Sequence, residues 1–162
     1  MHTWCKPFGR PKTGQRGFTL VEILIVLVVV GILTSLAAPS FSELVKSQKI
    51  KSMATDLNAS LALARSEAIK RNRNVTMLPT TAGAWHKGWT IADPDNVGSN
   101  VEVHSAFDSL TSTGPDDVTY RSSGRILGTA TPAFNISATG TTAKRCVSVD
   151  LSGRPYVKEA VC

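Results

Sequence analysis

The sequence has few of the groups that most enzyme active sites and disulfide-rich folds require. It contains three histidines and three cysteines in 162 residues. No local motif suggests a Cys/His or Ser/His/Asp arrangement, no glycine-rich phosphate loop occurs, and no internal repeat is evident. Three cysteines are also an awkward number for a disulfide framework. The sequence therefore predicts a non-enzymatic protein that uses neither a metal nor a cofactor.

Acidic residues are missing from the first 17 positions. That segment carries four basic residues, Lys6, Arg10, Lys12 and Arg16, whereas the remainder has 14 basic and 12 acidic residues. Much of the formal net charge of +6 thus comes from the start of the chain and is poor evidence for nucleic-acid binding. A basic start is typical of the cytoplasmic flank of a membrane segment.

Charge is also scarce between Phe18 and Ala38, where Glu22 is the one charged residue. If helical, these 21 residues rise about 31 Å, enough to cross a hydrocarbon core. Three interpretations fit: a cleaved secretory signal with its cleavage site in residues 35–40, a plain membrane anchor, or a prepilin. An acid near the start of a membrane helix is costly unless it is paired, and a plain signal or anchor has no use for one.

The stretch GQRGFTLVE, residues 14–22, resembles the class III signal of type IV pilins and type II secretion pseudopilins. The resemblance implies that a prepilin peptidase cuts between Gly17 and Phe18 and that Phe18 is then methylated. It implies that Glu22 pairs with the terminal amine of a neighbouring subunit, so that two costly charges neutralise each other. Pro39 matches a helix-loosening proline of the family. The 17-residue leader is longer than many of its kind.

Beyond Pro39 the sequence predicts an amphipathic helix that ends near residues 72–74. Its apolar residues recur mostly at steps of three and four: Phe41, Leu44, Ile50, Met53, Leu57, Leu61, Ala64 and Ala68. Short strands separated by turn residues follow, at 74–79, 88–92, 100–104, 118–121, 133–137, 146–150 and 155–158. The predicted fold class is α+β, a long N-terminal helix packed on a small antiparallel β-sheet or β-sandwich, as in the type IV pilin fold.

Motifs in the head resemble the minor pilin group that contains FimT, FimU and GspH. They are Trp85 before a Gly88-Trp89 pair, the turn at residues 93–96, and two strands that each lead into Ser-Gly-Arg, at residues 118–126 and 145–157. If their segment is extended, Trp85 and Trp89 lie on one strand face, and core packing is favoured over an exposed platform for bases.

The turn DPDNVG, which begins at Asp93, also has the spacing of a calcium loop. Asp93, Asp95 and Asn96 supply oxygens and Gly98 takes the sixth position. The twelfth position is His104, however, where an EF-hand needs a bidentate glutamate. An ordinary Asp-Pro turn is therefore favoured over a metal site.

Two of the cysteines, Cys146 and Cys162, remain if the leader with Cys5 is removed. A disulfide between them would close a loop of about 16 residues, worth roughly 3 kcal/mol, and would indicate an oxidising compartment such as the periplasm. The alternative is two unrelated buried thiols.

DNA is a candidate partner, since some relatives in this group bind it through a C-terminal Gly-Arg-any-Arg motif. Here Arg154 supplies the first arginine and Tyr156 replaces the second. The surrounding cations are Lys144, Arg145 and Lys158. Solvated charges on a strand and turn are the alternative, because few cations give weak phosphate binding.

The predicted organisation is a leader (1–17), a transmembrane and assembly helix (18–38), an amphipathic helix (39–73) and a β-rich periplasmic head (74–162). The predicted function is that of a minor type IV pilin in a pilus priming or tip complex. The alternatives are a type II secretion pseudopilin and a DNA-binding minor pilin for natural transformation. Expected partners are the prepilin peptidase, other minor and major pilins, and inner-membrane lipid.

Overall fold

The computed structural model describes residues 17–162, except for the side chains of residues 36–40. Most of the predicted leader, with Cys5, and the side chain of Pro39 therefore lie outside the described residues. The described residues divide into two compact units with the boundary between Pro39 and Ser40, so the second unit is Ser40–Cys162. One helix, α1 (Leu20–Arg71), contributes residues to both units.

In the first unit, the apolar side chains of α1 are exposed. Its large hydrophobic residues from Leu20 to Leu33 are 46–80% exposed. Within the part of the chain that the structure describes, no helix has the combined length and apolarity needed to cross a membrane.

In the second unit, α1 buries one stripe. Seven of its side chains are at most 1% exposed, and they are Ile50, Met53, Ala54, Leu57, Leu61, Ala64 and Ala68. Their spacing, mostly in steps of three and four residues, places them on one helix face, which packs on the head. Phe41 and Leu44 are 68% and 60% exposed, so the sequence-based prediction of the stripe was wrong for these two residues.

The helix ends in a Schellman motif. Asn72 takes a left-handed φ of 52°, and the Arg73 amide donates to the carbonyl of Ala68 at 3.2 Å. The Asn72 amide donates to the Ile69 carbonyl at 3.3 Å. These bonds satisfy carbonyls that the last helical turn would otherwise leave unpaired. The chain is thereby turned into the first strand.

The head contains two four-stranded antiparallel sheets. Their strand orders are β3-β2-β1-β5 and β4-β6-β7-β8. The bounds are β1 (Val75–Pro79), β2 (Trp89–Ala92), β3 (Asn100–His104), β4 (Thr111–Thr113), β5 (Val118–Tyr120), β6 (Ala133–Ser137), β7 (Lys144–Val149) and β8 (Pro155–Lys158). Seven of the eight correspond to predicted strands, whereas the polar three-residue β4 was missed.

Both head tryptophans are fully buried, although they do not share a strand. Trp85 lies in a 3₁₀ turn, Trp85–Lys87, so the two rings do not share a strand face, but the core packing predicted for both tryptophans is confirmed. Its ring meets Phe134 of the second sheet edge-on at 4.8 Å, and its Nε1 donates to the Pro115 carbonyl at 2.8 Å. Trp85 thus packs the β2 side of the head against the second sheet, with its polar atom satisfied.

A disulfide between Cys146 of β7 and Cys162 ties the C-terminus to the second sheet. The Cys162 amide also donates to Asn135 Oδ1 of β6 at 2.8 Å. The cross-link spans 16 residues, so its loop entropy contributes about 3 kcal/mol. The terminal residues are therefore held against β6 and β7 rather than left to fray.

Candidate functional site

The predicted processing site lies directly before the helix. Gly17 and Phe18 precede α1, and the Phe18 side chain is 77% exposed. Thr19 and Glu22 form a capping box: Thr19 Oγ1 accepts from the Glu22 amide at 3.2 Å, and Glu22 Oε2 accepts from the Thr19 amide at 3.4 Å. Glu22 therefore has a local role at the helix start besides the one that the family resemblance implies. The spacing T-x-x-E is the sequence signal for that role.

The two Ser-Gly-Arg motifs of the head form turns with the same hydrogen bonds. In the first, the Arg121 amide donates to the Arg125 carbonyl at 2.8 Å and the Gly124 amide donates to the Arg121 carbonyl at 2.7 Å. In the second, Asp150, Gly153 and Arg154 repeat this pattern at 3.1 Å and 2.8 Å. Each glycine has a positive φ, as the third residue of a three-residue hairpin loop requires.

These two turns pack directly on each other. A Cβ built on Gly153 would collide with the backbone carbonyl oxygen of Gly124, so only glycine permits the approach. Arg65 of α1 donates from Nε to the Gly124 carbonyl at 3.0 Å and from a terminal nitrogen to the Ser152 carbonyl at 3.3 Å. The helix thus fixes both turns through one guanidinium, a role of Arg65 that the sequence reasoning missed.

One position distinguishes the chemistry of the two turns. The second turn begins with Asp150, which accepts hydrogen bonds from the Ser152 hydroxyl and the Arg154 amide and lies 3.6 Å from Arg154 Nε. These contacts, the Ser152 hydrogen bond foremost, hold the pKa of Asp150 below its usual value. The first turn begins with Arg121 instead. No acidic side chain in residues 17–162 pairs with either Arg121 or Arg125.

A cleft of about 410 Å³ opens beside the first turn. Its lining residues are Arg121, Ser123, Arg125, Ile126, Gly128, Thr129 and Leu151. It combines two guanidinium groups, two hydroxyls and the apolar side chains of Ile126 and Leu151. Such a lining suits a ligand in which an anionic group lies next to an apolar group.

The four cations predicted for DNA binding do not form one cluster. Arg145 pairs with Glu159 across the β7–β8 hairpin at 2.7 Å, and the Lys158 ammonium lies 5.1 Å from the centre of the Tyr156 ring. Lys144 is exposed at the start of β7. Arg154 lies at the opposite end of β8 from Lys158, about 13 Å along the strand. DNA binding by these residues stays a prediction.

Comparison with known sequences identifies two segments. Residues 53–153 match the family Type II transport protein GspH, and residues 12–38 match the prokaryotic N-terminal methylation motif. The first match covers most of the head and more than half of the chain. This chain belongs to the GspH family of type IV minor pilins and pseudopilins. The family is one of structural subunits that associate with other pilins, and its N-terminal motif is processed by a peptidase.

Relatives of this pilin-family chain include a secretion-system protein and a pilin-like protein. The type II secretion system core protein G of Escherichia coli is 33% identical over 66% of this chain and 86% of that protein. Pilin-like protein PilA1 of Thermus thermophilus is 42% identical, over 43% of this chain and 44% of that protein.

Solved structures share the pilin fold of this chain. The type IV minor pilin FimU of Pseudomonas aeruginosa matches with a TM-score of 0.59 and 26% identity, covering 67% of this chain and 91% of that one. The minor pseudopilin EpsH of the Vibrio cholerae type 2 secretion system matches with a TM-score of 0.53, covering 68% and 97%. At 14% identity, the EpsH match shows the fold alone.

In this GspH-family head, the loop considered for calcium is filled by an arginine. Arg71, the last residue of α1, donates to Asp93 Oδ1 at 2.7 Å, to Asp95 Oδ2 at 2.9 Å and to Glu67 Oε2 at 2.6 Å. Among the described residues there is no group of three acidic, histidine or cysteine side chains that could bind a metal ion. Asp93 and Asp95 instead fasten the β2–β3 hairpin to the end of α1.

This ion cluster predicts acid sensitivity. The Arg71 hydrogen bond lowers the pKa of Glu67 below its ordinary 4.5, and the Asp95 amide, the Asn96 side chain and Arg71 lower the pKa of Asp93 below 3.8. The unfolded chain therefore binds more protons in acid, so this stability is complete above the ordinary pKa values and is lost as pH falls through the lowered ones. We expect the midpoint temperature of unfolding, measured by circular dichroism, to decrease once the pH is below about 4.5.

Asp93→Asn is the matched variant for this prediction. Asparagine retains an oxygen for the Asp95 amide but loses the charge that pairs with Arg71. The variant should have a lower thermal midpoint than the natural protein at pH 7, and the difference should shrink in acid. A difference that is independent of pH would show that the Asp93 charge contributes nothing.

Proposed function

We propose that this chain is a minor type IV pilin that joins a pilus priming or tip complex. In this proposal a prepilin peptidase cuts after Gly17, Phe18 becomes the methylated N-terminus, and Glu22 and Pro39 act in assembly. Residues 18–38 anchor the chain in the bacterial inner membrane, residues 39–73 form the helix that packs on the head, and residues 74–162 form a periplasmic head. The chain acts by packing against other subunits and not by catalysis.

The structural match to FimU carries the proposal. It covers 91% of the FimU chain at 26% identity, whereas the EpsH match has 14% identity and a lower TM-score. The match to the N-terminal methylation motif over residues 12–38 supports cleavage and membrane anchoring, because it includes Gly17, Phe18 and Glu22. The disulfide supports a head in an oxidising compartment.

A pseudopilin of type II secretion is the second candidate. The family that matches residues 53–153 is described as a type II transport protein. In addition, the relative from Escherichia coli, at 33% identity, is a core protein of type II secretion. A pseudopilin would use the same helix and head in a different machine, so the physical account of the chain is unchanged.

Deletion of the gene distinguishes the two candidates when two readouts are measured in the same strain. Surface pili are counted by electron microscopy, and a type II secretion substrate is assayed in the culture medium. We expect pili to fall below detection and to return on complementation, with secretion unaffected. Loss of secretion with normal pili would move the chain to the secretion system. No change in either would contradict both candidates.

A further inference from the structure

We infer that the cleft beside the first Ser-Gly-Arg turn is a docking site for a carboxylate on an acidic segment of another pilin subunit. This inference rests on the proposed function, since it names a contact through which the head meets a neighbour. Its evidence does not involve the first unit, because every residue of the cleft belongs to the unit formed by residues 40–162.

The positive charge of the cleft is uncompensated within the described chain. The Arg121 amide bonds to the Arg125 carbonyl, so the two residues face each other across a tight hairpin. Side chains that face each other on a hairpin have Cβ atoms about 5 Å apart, and like charges at that distance repel. The described chain supplies no acidic side chain to either guanidinium. A bound anion would remove that repulsion.

The second turn shows what the first one lacks. Its backbone hydrogen bonds are the same, but Asp150 stands where the first turn has Arg121, and its carboxylate lies 3.6 Å from Arg154 Nε. One turn thus carries its own counter-ion and the other does not. The arginine pair is consequently open to a carboxylate from outside the chain, which can bind guanidinium in a two-pronged geometry.

The rest of the lining favours a peptide over a nucleic acid. Among the residues that the structure describes, no aromatic side chain lines the cleft, although bases bound as single strands stack on aromatic rings. Ile126 and Leu151 provide an apolar wall next to the arginines, and Leu151 is 46% exposed. A neighbouring groove of about 480 Å³ shares Ile126, Gly128 and Thr129 with the cleft. Together they accommodate an extended segment with an apolar residue beside the acid.

Site-directed photo-cross-linking in cells tests this inference on the full chain. A photoreactive benzoylphenylalanine replaces Leu151, and the cross-linked partner peptide is identified by mass spectrometry. We expect a cross-link to an acidic segment of a pilin subunit. Arg121→Asp should reduce its yield by about tenfold or more. The new carboxylate takes the position that Asp150 has in the second turn, where it can pair with Arg125. Lys87→Asp, an equal charge change at an exposed lysine outside the cleft, should leave the yield unchanged.

Two further measurements make the outcome decisive. Arg125→Gln removes the other guanidinium without adding an acid and should also reduce the yield, so the result does not depend on one variant. The same probe in place of Leu44, which is 60% exposed on α1, reports whether the chain assembles with other pilins at all.

The outcomes separate the inference from the proposed function. Cross-links from Leu44 with none from Leu151, or a Leu151 yield that neither arginine variant lowers, would overturn the docking site while the pilin assignment stands. A Leu151 cross-link to nucleic acid would also overturn it. No cross-link from either position would count against the proposed function itself.

Discussion

Gly153→Ala should destabilise the head by about 3 kcal/mol or more, because two costs coincide at this position. Gly153 has a φ of +84°, where a residue with a Cβ is strained. The added Cβ would also run into the carbonyl oxygen of Gly124 and crowd the backbone of Arg125. Those atoms belong to a turn that Arg65 holds in place, so the neighbour cannot move aside without breaking the Arg65 hydrogen bonds.

Gly98→Ala is the matched control for this prediction. Gly98 has a similar φ of +89°, but a Cβ built there meets no atom of the described chain within 4 Å. It should therefore cost only the backbone strain, about 1 kcal/mol. Urea unfolding of the full chain in detergent micelles, without reductant and followed by the fluorescence of buried Trp85 and Trp89, measures both variants. Equal losses in the two variants would show that the two turns do not pack as described.

The helix and most strands could be predicted because their signals are local. The apolar stripe from Ile50 to Ala68 has helical spacing, and seven strands are short β-prone segments between turn residues. Phe41 and Leu44 follow the same spacing but are exposed, since periodicity defines a helix face and not the point where its packing begins. Strand β4 was missed because Thr111–Thr113 has no apolar residue, and pairing with β6 defines it instead.

The candidate sites show a similar division between local and tertiary information. The segment from Gly17 to Glu22 was recognised from its sequence because processing motifs are read along the chain. The Arg65 side chain donates hydrogen bonds to carbonyls 59 and 87 positions further along the chain, so no short stretch of sequence contains both partners. The repeated Ser-Gly-Arg was visible, but its meaning was not. The fold shows that Asp150 pairs with the arginine of its own turn and that the arginines of the other turn have no acidic partner among the described residues.

Glu22→Gln should reduce incorporation of this chain into surface pili by about two orders of magnitude or more, because it removes a charge that assembly is proposed to use. In the structure the Glu22 carboxylate closes a capping box with Thr19, at 3.4 Å from the Thr19 amide. Glutamine can fill that place in a capping box, so the variant retains the helix start and loses the charge alone. The amount of the chain in sheared surface fractions, by immunoblot, measures incorporation, and leader cleavage is followed by the size of the protein.

Thr19→Ala makes the opposite change and decides between the two roles of Glu22. It removes the hydroxyl that accepts from the Glu22 amide, a loss of about 1 kcal/mol at the helix start, but it leaves the carboxylate charged. If Glu22 acts by neutralising the terminal amine of a neighbour, Glu22→Gln abolishes incorporation and Thr19→Ala preserves most of it. If Glu22 serves only as a helix cap, Thr19→Ala is the more harmful variant and the pairing proposed for assembly is wrong. Glu22→Gln leaves the neighbour's terminal amine without a counter-charge in lipid, which costs several kcal/mol, far more than the cap contributes, so the charge should decide the result.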